Sequence, residues 1–498
     1  MVQTVYPDCR VEPVLAAPES ERERAWERAE AVRELVRGRI EVAGPITARA
    51  LMDFFQLPSA EIDSALLALE AEGFVLRGKF HPRTAETEWC DRRLLARIHR
   101  LTINRLRAEI QPVSVAEFQR FLLAWQRVSA EHRAEGPEGL RAVLDFLDGY
   151  GLPAAAWEPE ALALRVIGYT PAWLDQLCLT GRTGWGRLTQ NSTGRPSAPV
   201  RSSPVSLFAR ENLPHWLALS SRADASEFSP DTRETLETLS RGGALFFGEL
   251  VKQSGLLASR VEQALAELTA QGYVTADSFE GLRALLVPEE KRAPFAPADR
   301  RRHHRAVTSL EFAGRWSLLR TPGVETDTAP GQTGAANHEE SIEAFARVLL
   351  RRYGVVFRRI LEKESISVPW FELVRVYRRL EARGEIRGGY FISGVSGEQF
   401  ALSEAIGSLR SIRKTPGNAD LIVISAADPL NLAGILTPGP RVAAISANRI
   451  LLRDGIPIAA LKAGEIIMLE HEAGESVLVI ERALRVGYIS PSLRPYYA

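Results

Sequence analysis

Apolar residues along this chain fall into one arrangement four times over. A stretch with helical spacing reaches a leucine, a glycine follows four residues later, and a short strand-like run comes next. The segments are ALLALEAEGFVLRGKF (residues 65–80), LDQLCLTGRTGWGRL (174–188), ALAELTAQGYVTADSF (264–279) and VYRRLEARGEIRGGYF (376–391). Apolar residues three and four apart mark one face of a helix, and glycine supplies the left-handed residue that stops it. A helix stopped this way and followed by a hairpin is how the last helix and wing of a winged helix read. The spacing of the four glycines, Gly73, Gly181, Gly272 and Gly384, is irregular, which excludes a fixed-period solenoid.

The rest of each module follows the same pattern. In the first, a charged helix begins near residue 21, and Pro45 and Ile46 lead into ARALMDFFQL. Ser59 then stands as N-cap of a helix with Ile62, Leu66 and Leu69 on one face. Residues 74–80 read as its wing hairpin. The third module predicts helices over 232–240, 248–253 and 258–269, a strand over 244–247, and wing strands over 273–275 and 282–286. The fourth predicts a helix over 342–353, a strand over 355–357, a further turn over 358–363 and a long helix over 370–382. The second is more helical and less regular, with helices over 94–109, 114–127, 140–147 and 171–179. From residue 421 the runs are short and β-rich, at 421–425, 442–445, 449–453, 456–461 and 476–480, and Asp454-Gly455 signals a hairpin.

The predicted class is therefore α+β, mainly helical: tandem winged-helix modules with a C-terminal β-rich, barrel-like module. The modules span 21–86, 88–190, 207–287 and 339–395, with the β-rich piece over 396–498. Three stretches poor in large apolar residues, 191–206, 288–305 and 321–338, read as linkers.

Composition adds bounds. The 498 residues are 45% hydrophobic and 25% charged, which fits several globular domains. Lysine plus arginine equals aspartate plus glutamate at 62 each, so binding of a nucleic acid must come from local basic patches. The cysteines, Cys9, Cys90 and Cys178, are far apart with no C-x-x-C, which points to a reducing compartment and no zinc site. No signal peptide or apolar span is visible, so a cytoplasmic protein without a membrane association is expected.

Local patches are present. Arg92, Arg93, Arg97, Arg100, Arg105 and Arg107 share a helix with Leu94, Leu95, Ile98 and Leu101; the pattern fits either a solvated face or phosphate contacts. Arg301, Arg302 and Arg305 form a second cluster with His303 and His304, without metal-ligand spacing. Arg77, Lys79, Arg182, Arg187 and Arg387 lie where wings meet a nucleic-acid backbone, and Trp185 is placed either to stack on a base or to fill a hairpin core. Gly73 to Lys79 spells G-x-x-x-x-G-K, but Phe80 stands where Ser or Thr should bind Mg²⁺, and a helix precedes the loop. No cofactor is expected. Among carboxylates, Asp428 in SAADPLNL follows an apolar strand and is the catalytic candidate, with turn formation as the competing role; Glu398 and Gln399 are weaker ones.

Several segments also resemble the C-terminal region of the bacterial large helicase-related (Lhr) proteins: EWCDRRLLARIHRLT (88–102), PVSVAEFQRFLLAWQ (112–126), LPAAAWE (152–158), GYTPAWLDQLCLTGRTGWGRL (168–188), GALFFGEL (243–250) and SAADPLNLAGILTPGPRV (425–442). The resemblance implies an array of winged helices ending in a β-rich piece that oligomerises, to a tetramer, beside an ATP-driven 3′-to-5′ helicase core. It also implies similarity to winged-helix DNA glycosylases and a uracil-DNA glycosylase activity. This chain has no Walker loop, so no motor activity carries over, and the Q-x-D or Q-x-Q signature of those glycosylases has no counterpart. Three readings stay open: a DNA-binding, oligomer-forming repair module acting with a helicase core from elsewhere; a uracil or damaged-base glycosylase; and a scaffold whose modules hide their recognition helices in each other.

Overall fold

All four glycines of the repeat lie in the left-handed region, with φ of 69° at Gly73, 74° at Gly181, 82° at Gly272 and 77° at Gly384. The leucine four residues earlier is buried in every case. Phe74, Tyr273 and Glu385 each return a backbone N–H to that leucine's carbonyl, at 2.9, 2.9 and 3.0 Å. Each glycine N–H reaches a carbonyl of the last turn, at 2.8 to 3.1 Å. These bonds satisfy the orphan carbonyls of a helix end and turn the chain into a strand.

The computed structural model describes residues 1–10, 25–81, 84–108, 111–189, 200–220, 228–287, 310, 313–320, 333–470, 476–485, 489 and 491–497. The chain divides into two compact units, Met1–Glu109 and Ile110–Ala498.

The first unit is one winged helix. Helix Arg28–Ala43, strand Ile46–Thr47, helices Ala48–Phe55 and Ser59–Ala71, and strands Val75–Gly78 and Glu88–Asp91 follow in order. Val32, Val36 and Ile40 recur one turn apart and meet Leu51, Ile62, Leu66, Leu69 and Val75 in a single core. The Thr47 side chain caps the second helix by accepting from Ala50 N at 3.2 Å. Pro58, not Ser59, occupies the cap of the third helix, and Ser59 is its first residue. The second wing strand is not at 79–80: Glu88–Asp91 pairs antiparallel with Val75–Gly78, which carries the first module past residue 86.

The second unit repeats this frame three times. In every module the strand latest in sequence lies between the other two: Glu88–Asp91 in the first unit, then Pro204–Ala209, Arg315–Leu318 and Gln399–Leu402. Two of these strands lie where the sequence pattern failed. Pro204–Ala209 (PVSLFA) overlaps the supposed linker 191–206 and pairs with both Gly151–Pro153 and Thr183–Gly186. In the third module Leu282 to Leu286 is not a strand but the end of helix Glu280–Leu286, and Arg315–Leu318 supplies the missing pairing with Val274–Ala276. The helix starts there because Asp175 accepts from Glu280 N at 2.9 Å, satisfying an orphan N–H of its first turn. Residues 288–305 and the cluster Arg301, Arg302 and Arg305 lie outside the described residues, between two elements of one module. Residues 333–338, read as linker, begin helix Thr333–Tyr353.

The C-terminal piece is an open four-stranded antiparallel sheet, not a barrel: Leu421–Ser425, Arg449–Arg453, Ile456–Lys462 and Glu465–Met468 pair only with their neighbours in sequence. Asp454 (φ 50°) and Gly455 (φ 80°) form the predicted hairpin turn. Residues 442–445 form no strand, and of 476–480 all but the first belong to helix Val477–Arg485, whose Ile480 and Leu484 are buried against the sheet.

Cores cross the module boundaries. The second and third modules share one, in which Trp157, Trp185 and Trp316 are buried together. The fourth module, helix Val115–Trp125 and the C-terminal sheet share another, around Phe121, Phe357, Tyr377 and Leu430. Gln119 on that helix donates to Leu430 O at 2.8 Å, Arg120 donates to Thr415 O at 3.1 Å, and Gly455 packs directly on the backbone of Ala116 and Arg120.

Candidate nucleic-acid interface

In the first unit, basic side chains gather on one continuous segment. Strand Glu88–Asp91 runs straight into helix Arg92–Ala108, whose start is capped by Asp91, accepting from Leu94 N at 2.6 Å. The helix sequence RRLLARIHRLTINRLRA contains no acidic residue. Arg92, Arg93, Arg97 and Arg100 are all exposed, as are Ile98 and Leu101 at 36% and 57%. Arg105 has a partner within the structure, and the side chain of Arg107 lies outside the described residues. On the adjoining wing, Arg77 and Lys79 are exposed; Arg77 pairs with Glu70 at 3.0 Å. Residues 73–79 form the helix stop and this strand, which is not a phosphate-binding loop.

The recognition-type helix Ser59–Ala71 has no lysine or arginine; its sequence SAEIDSALLALEA carries Glu61, Asp63 and Glu70. Charge in this module therefore favours the wing and the following helix as the phosphate-facing side.

That wing is held by an internal clasp. Glu88 accepts from Phe80 N and His81 N, both at 2.8 Å, and lies 2.6 Å from His81 Nδ1. The His81 ring bond holds the Glu88 carboxyl below its ordinary value. The fourth module repeats the device with an amide. Gln399, likewise the first residue of its third strand, accepts from Phe391 N at 2.8 Å and Ile392 N at 2.9 Å, again eight and seven residues back. Gln399, buried at 1% exposure, thus ties a wing loop, and Glu398 pairs with Arg378 at 2.8 Å.

Elsewhere the sequence-nominated residues separate. Arg182 is exposed in the turn after Gly181, and Arg387 is half-buried on its strand. Trp185 is fully buried: Nε1 donates to Ser278 O at 2.9 Å, and the ring meets Trp316 edge-on at 6.0 Å. Arg187 is buried too, giving Nε to Thr189 O at 2.7 Å and Nη1 to Ala270 O; burial pulls its pKa down. Asp428 is sealed at 1% exposure in a two-pronged pair with Arg165, at 2.7 and 2.8 Å, and its Oδ1 accepts from Leu430 N at 3.0 Å. An ion pair with both heads closed to water orders the chain but offers no carboxylate to a substrate.

One basic face went unread in the sequence. The fourth recognition-type helix, Trp370–Ala382, carries Arg375, Arg378 and Arg379 opposite its buried Leu373, Val376, Tyr377 and Leu380. Arg378 and Arg379 pair with Glu398 and Glu339, while Arg375 lies over the ring of exposed Phe371 at 5.5 Å. The signal was the helical spacing of those arginines in WFELVRVYRRL. No cluster of three or more metal-binding side chains occurs among the described residues, and no described helix is long and apolar enough to cross a membrane.

Comparison with known proteins agrees with this architecture. Winged-helix domains of the large helicase-related protein match residues 113–210 and 335–421. A protein of Mycolicibacterium smegmatis named Lhr helicase/probable uracil glycosylase is 30% identical over 454 residues, and one of Escherichia coli K12 named Lhr helicase/uracil glycosylase is 26% identical over 472. Each match covers 87% of this chain and 28% of the relative, so the chain spans little more than a quarter of the length of either. With two of its modules matched, its sheets built alike and most of its length aligned to two Lhr proteins, the chain is similar to the C-terminal, winged-helix region of the large helicase-related (Lhr) family.

Proposed function

We propose that this chain is a DNA-binding, oligomer-forming repair module that acts with an Lhr-type helicase core lying outside these 498 residues. The observation that carries the reading is the arginine helix Arg92–Ala108, free of acidic residues and continuous with the wing bearing Arg77 and Lys79. Guanidinium groups match phosphate oxygens bidentately, and a basic helix beside a wing tracks a nucleic-acid backbone without reading bases. Self-association is supported by apolar residues left exposed in the C-terminal piece: Ile467 and Met468 on the edge strand, and Val477 and Leu478 on the last long helix. A gel shift with single- and double-stranded DNA at low salt tests the binding, and light scattering tests the assembly; absence of any DNA affinity overturns the first.

A second reading, excision of uracil or a damaged base, is supported by the names of both relatives. It needs a carboxylate other than the sealed Asp428. Release of alkali-labile sites from a uracil-containing oligonucleotide tests it.

A further inference from the structure

The second unit holds a cleft of about 780 Å³ between the second module and the C-terminal sheet. One wall is an unusual turn: residues Trp157–Leu162 form a π-helix with Pro159 inside it. Such turns are rare and concentrate at functional sites. The wider winding separates two glutamates two residues apart. Glu158 is fully buried and accepts from the Tyr169 hydroxyl at 2.6 Å, Arg283 Nε at 2.7 Å and the Tyr497 hydroxyl at 2.8 Å. Glu160 instead lines the cleft, half-buried, with Oε1 at 3.3 Å from Arg449 Nη2.

The guanidinium groups around Glu160 each also donate to a backbone carbonyl. Arg449 reaches Leu484 O only at 3.3 Å. Arg133 spends Nη2 on Ala163 O and Val166 O, and its Nε is closed off with no partner. Arg201 is exposed and also lines the cleft, with Nη1 donating to Leu286 O at 2.6 Å and, among the described residues, its other nitrogens available to a ligand. Between these guanidinium groups the wall is apolar, with Ala163 and Val423 among its residues.

We propose that this cleft takes one nucleotide unit of DNA, its phosphate met by Arg449 and Arg201 and its base seated on the apolar wall beside Glu160. The proposal rests on the base-excision reading, in which a base must leave the stack to be acted on. The volume falls in the range of small-molecule pockets and far exceeds what inorganic phosphate fills. Burial raises the Glu160 carboxyl, with the Asp428 charge adding to the rise and Arg449 and Ser425 opposing it.

The test uses the full chain with dUMP as probe, followed by titration calorimetry. Wild type binds dUMP at least tenfold more tightly than inorganic phosphate, and Arg449→Ala and Ala163→Trp each weaken dUMP at least tenfold while melting as wild type does. Wild type failing to bind dUMP, or both variants binding it unchanged, overturns the proposal. Uracil excision is scored in parallel. Excision that survives Ala163→Trp and Glu160→Gln unchanged sinks the cleft and leaves the excision reading standing. Cleft-dependent dUMP binding without any excision by wild type supports the pocket and sinks that reading.

Discussion

Gly272 lies against the carbonyl of Arg187: a Cβ added to the glycine would stand 2.5 Å from that oxygen. The third helix stop is therefore also a contact between the second and third modules, whereas a Cβ at Gly73, Gly181 or Gly384 meets nothing within 4 Å. Alanine at those three positions carries only the left-handed backbone cost, about 1–2 kcal/mol. Gly272→Ala adds a backbone clash and is expected to cost roughly 2–4 kcal/mol in all. Urea unfolding of the four variants checks the ranking.

Glu88 and Gln399 close equivalent wings, so Glu88→Gln keeps the clasp. The Glu88 carboxyl is depressed, chiefly by its bond to His81, so its contribution is present above its ordinary value of 4.5 and is lost as pH falls through its lower folded-state value. Acid below about pH 4.5 should loosen the first wing of wild type but not that of Glu88→Gln. Glu88→Ala should loosen it at every pH. Limited proteolysis across pH, with a protease active throughout, reads this out.

Arg283 bonds Glu158 through Nε and Asp175 through Nη1, both at 2.7 Å, with Arg283 and Glu158 closed to water. Arg283→Met leaves Glu158 buried without its countercharge and is expected to cost about 3–5 kcal/mol. Adding Glu158→Gln should recover part of that loss. Denaturation midpoints of the two single variants and the double variant measure the coupling.

Replacing Arg92, Arg93, Arg97 and Arg100 together by alanine should weaken duplex binding and flatten its salt dependence by about one unit in the log–log slope for each phosphate contact removed. Arg187→Ala should instead lower the melting temperature, because its side chain ties Thr189 and Ala270. Affinity measured from low to moderate salt, beside thermal melts, separates the two roles.

Cys90 and Cys178 are buried, and burial pushes the Cys178 thiol up to about 12. Cys9 alone should react quickly with a thiol reagent in the native protein, and the other two only on unfolding.

The sequence announced each helix stop, because a leucine and a glycine four apart are local signals. The returning wing strands escaped it. Pro204–Ala209 is short and flanked by serine and proline, and Arg315–Leu318 comes long after its partner Val274–Ala276. Pairing over such gaps leaves no periodicity to count. Residues 476–480 looked like a strand because Val477, Val479 and Ile480 favour one; only Leu484, one turn beyond Ile480, reveals the helix. Chemical roles were less legible than fold. Arg187 and Trp185 have the residue types of a contact surface but face a neighbouring module, and nothing in the pattern of one module tells which sides another will cover. The exposure of the arginines at 92, 93, 97 and 100 was legible, since their helix alternates them with a limited apolar stripe and contains no acid to pair with them.

Helix Val115–Trp125 is synthesised before the chain it leans on, which, at Thr415, Leu430 and Gly455, follows some three hundred residues later. At ordinary elongation rates the gap is about 15 s to a minute. Through that interval the Gln119 amide and the Arg120 guanidinium lack the Leu430 and Thr415 carbonyls they donate to. A chain cut short before Thr415 would keep the aromatic packing of this helix on Phe357 but leave its two long-range donors without acceptors, so a break far along the chain is felt at a helix made three hundred residues before it.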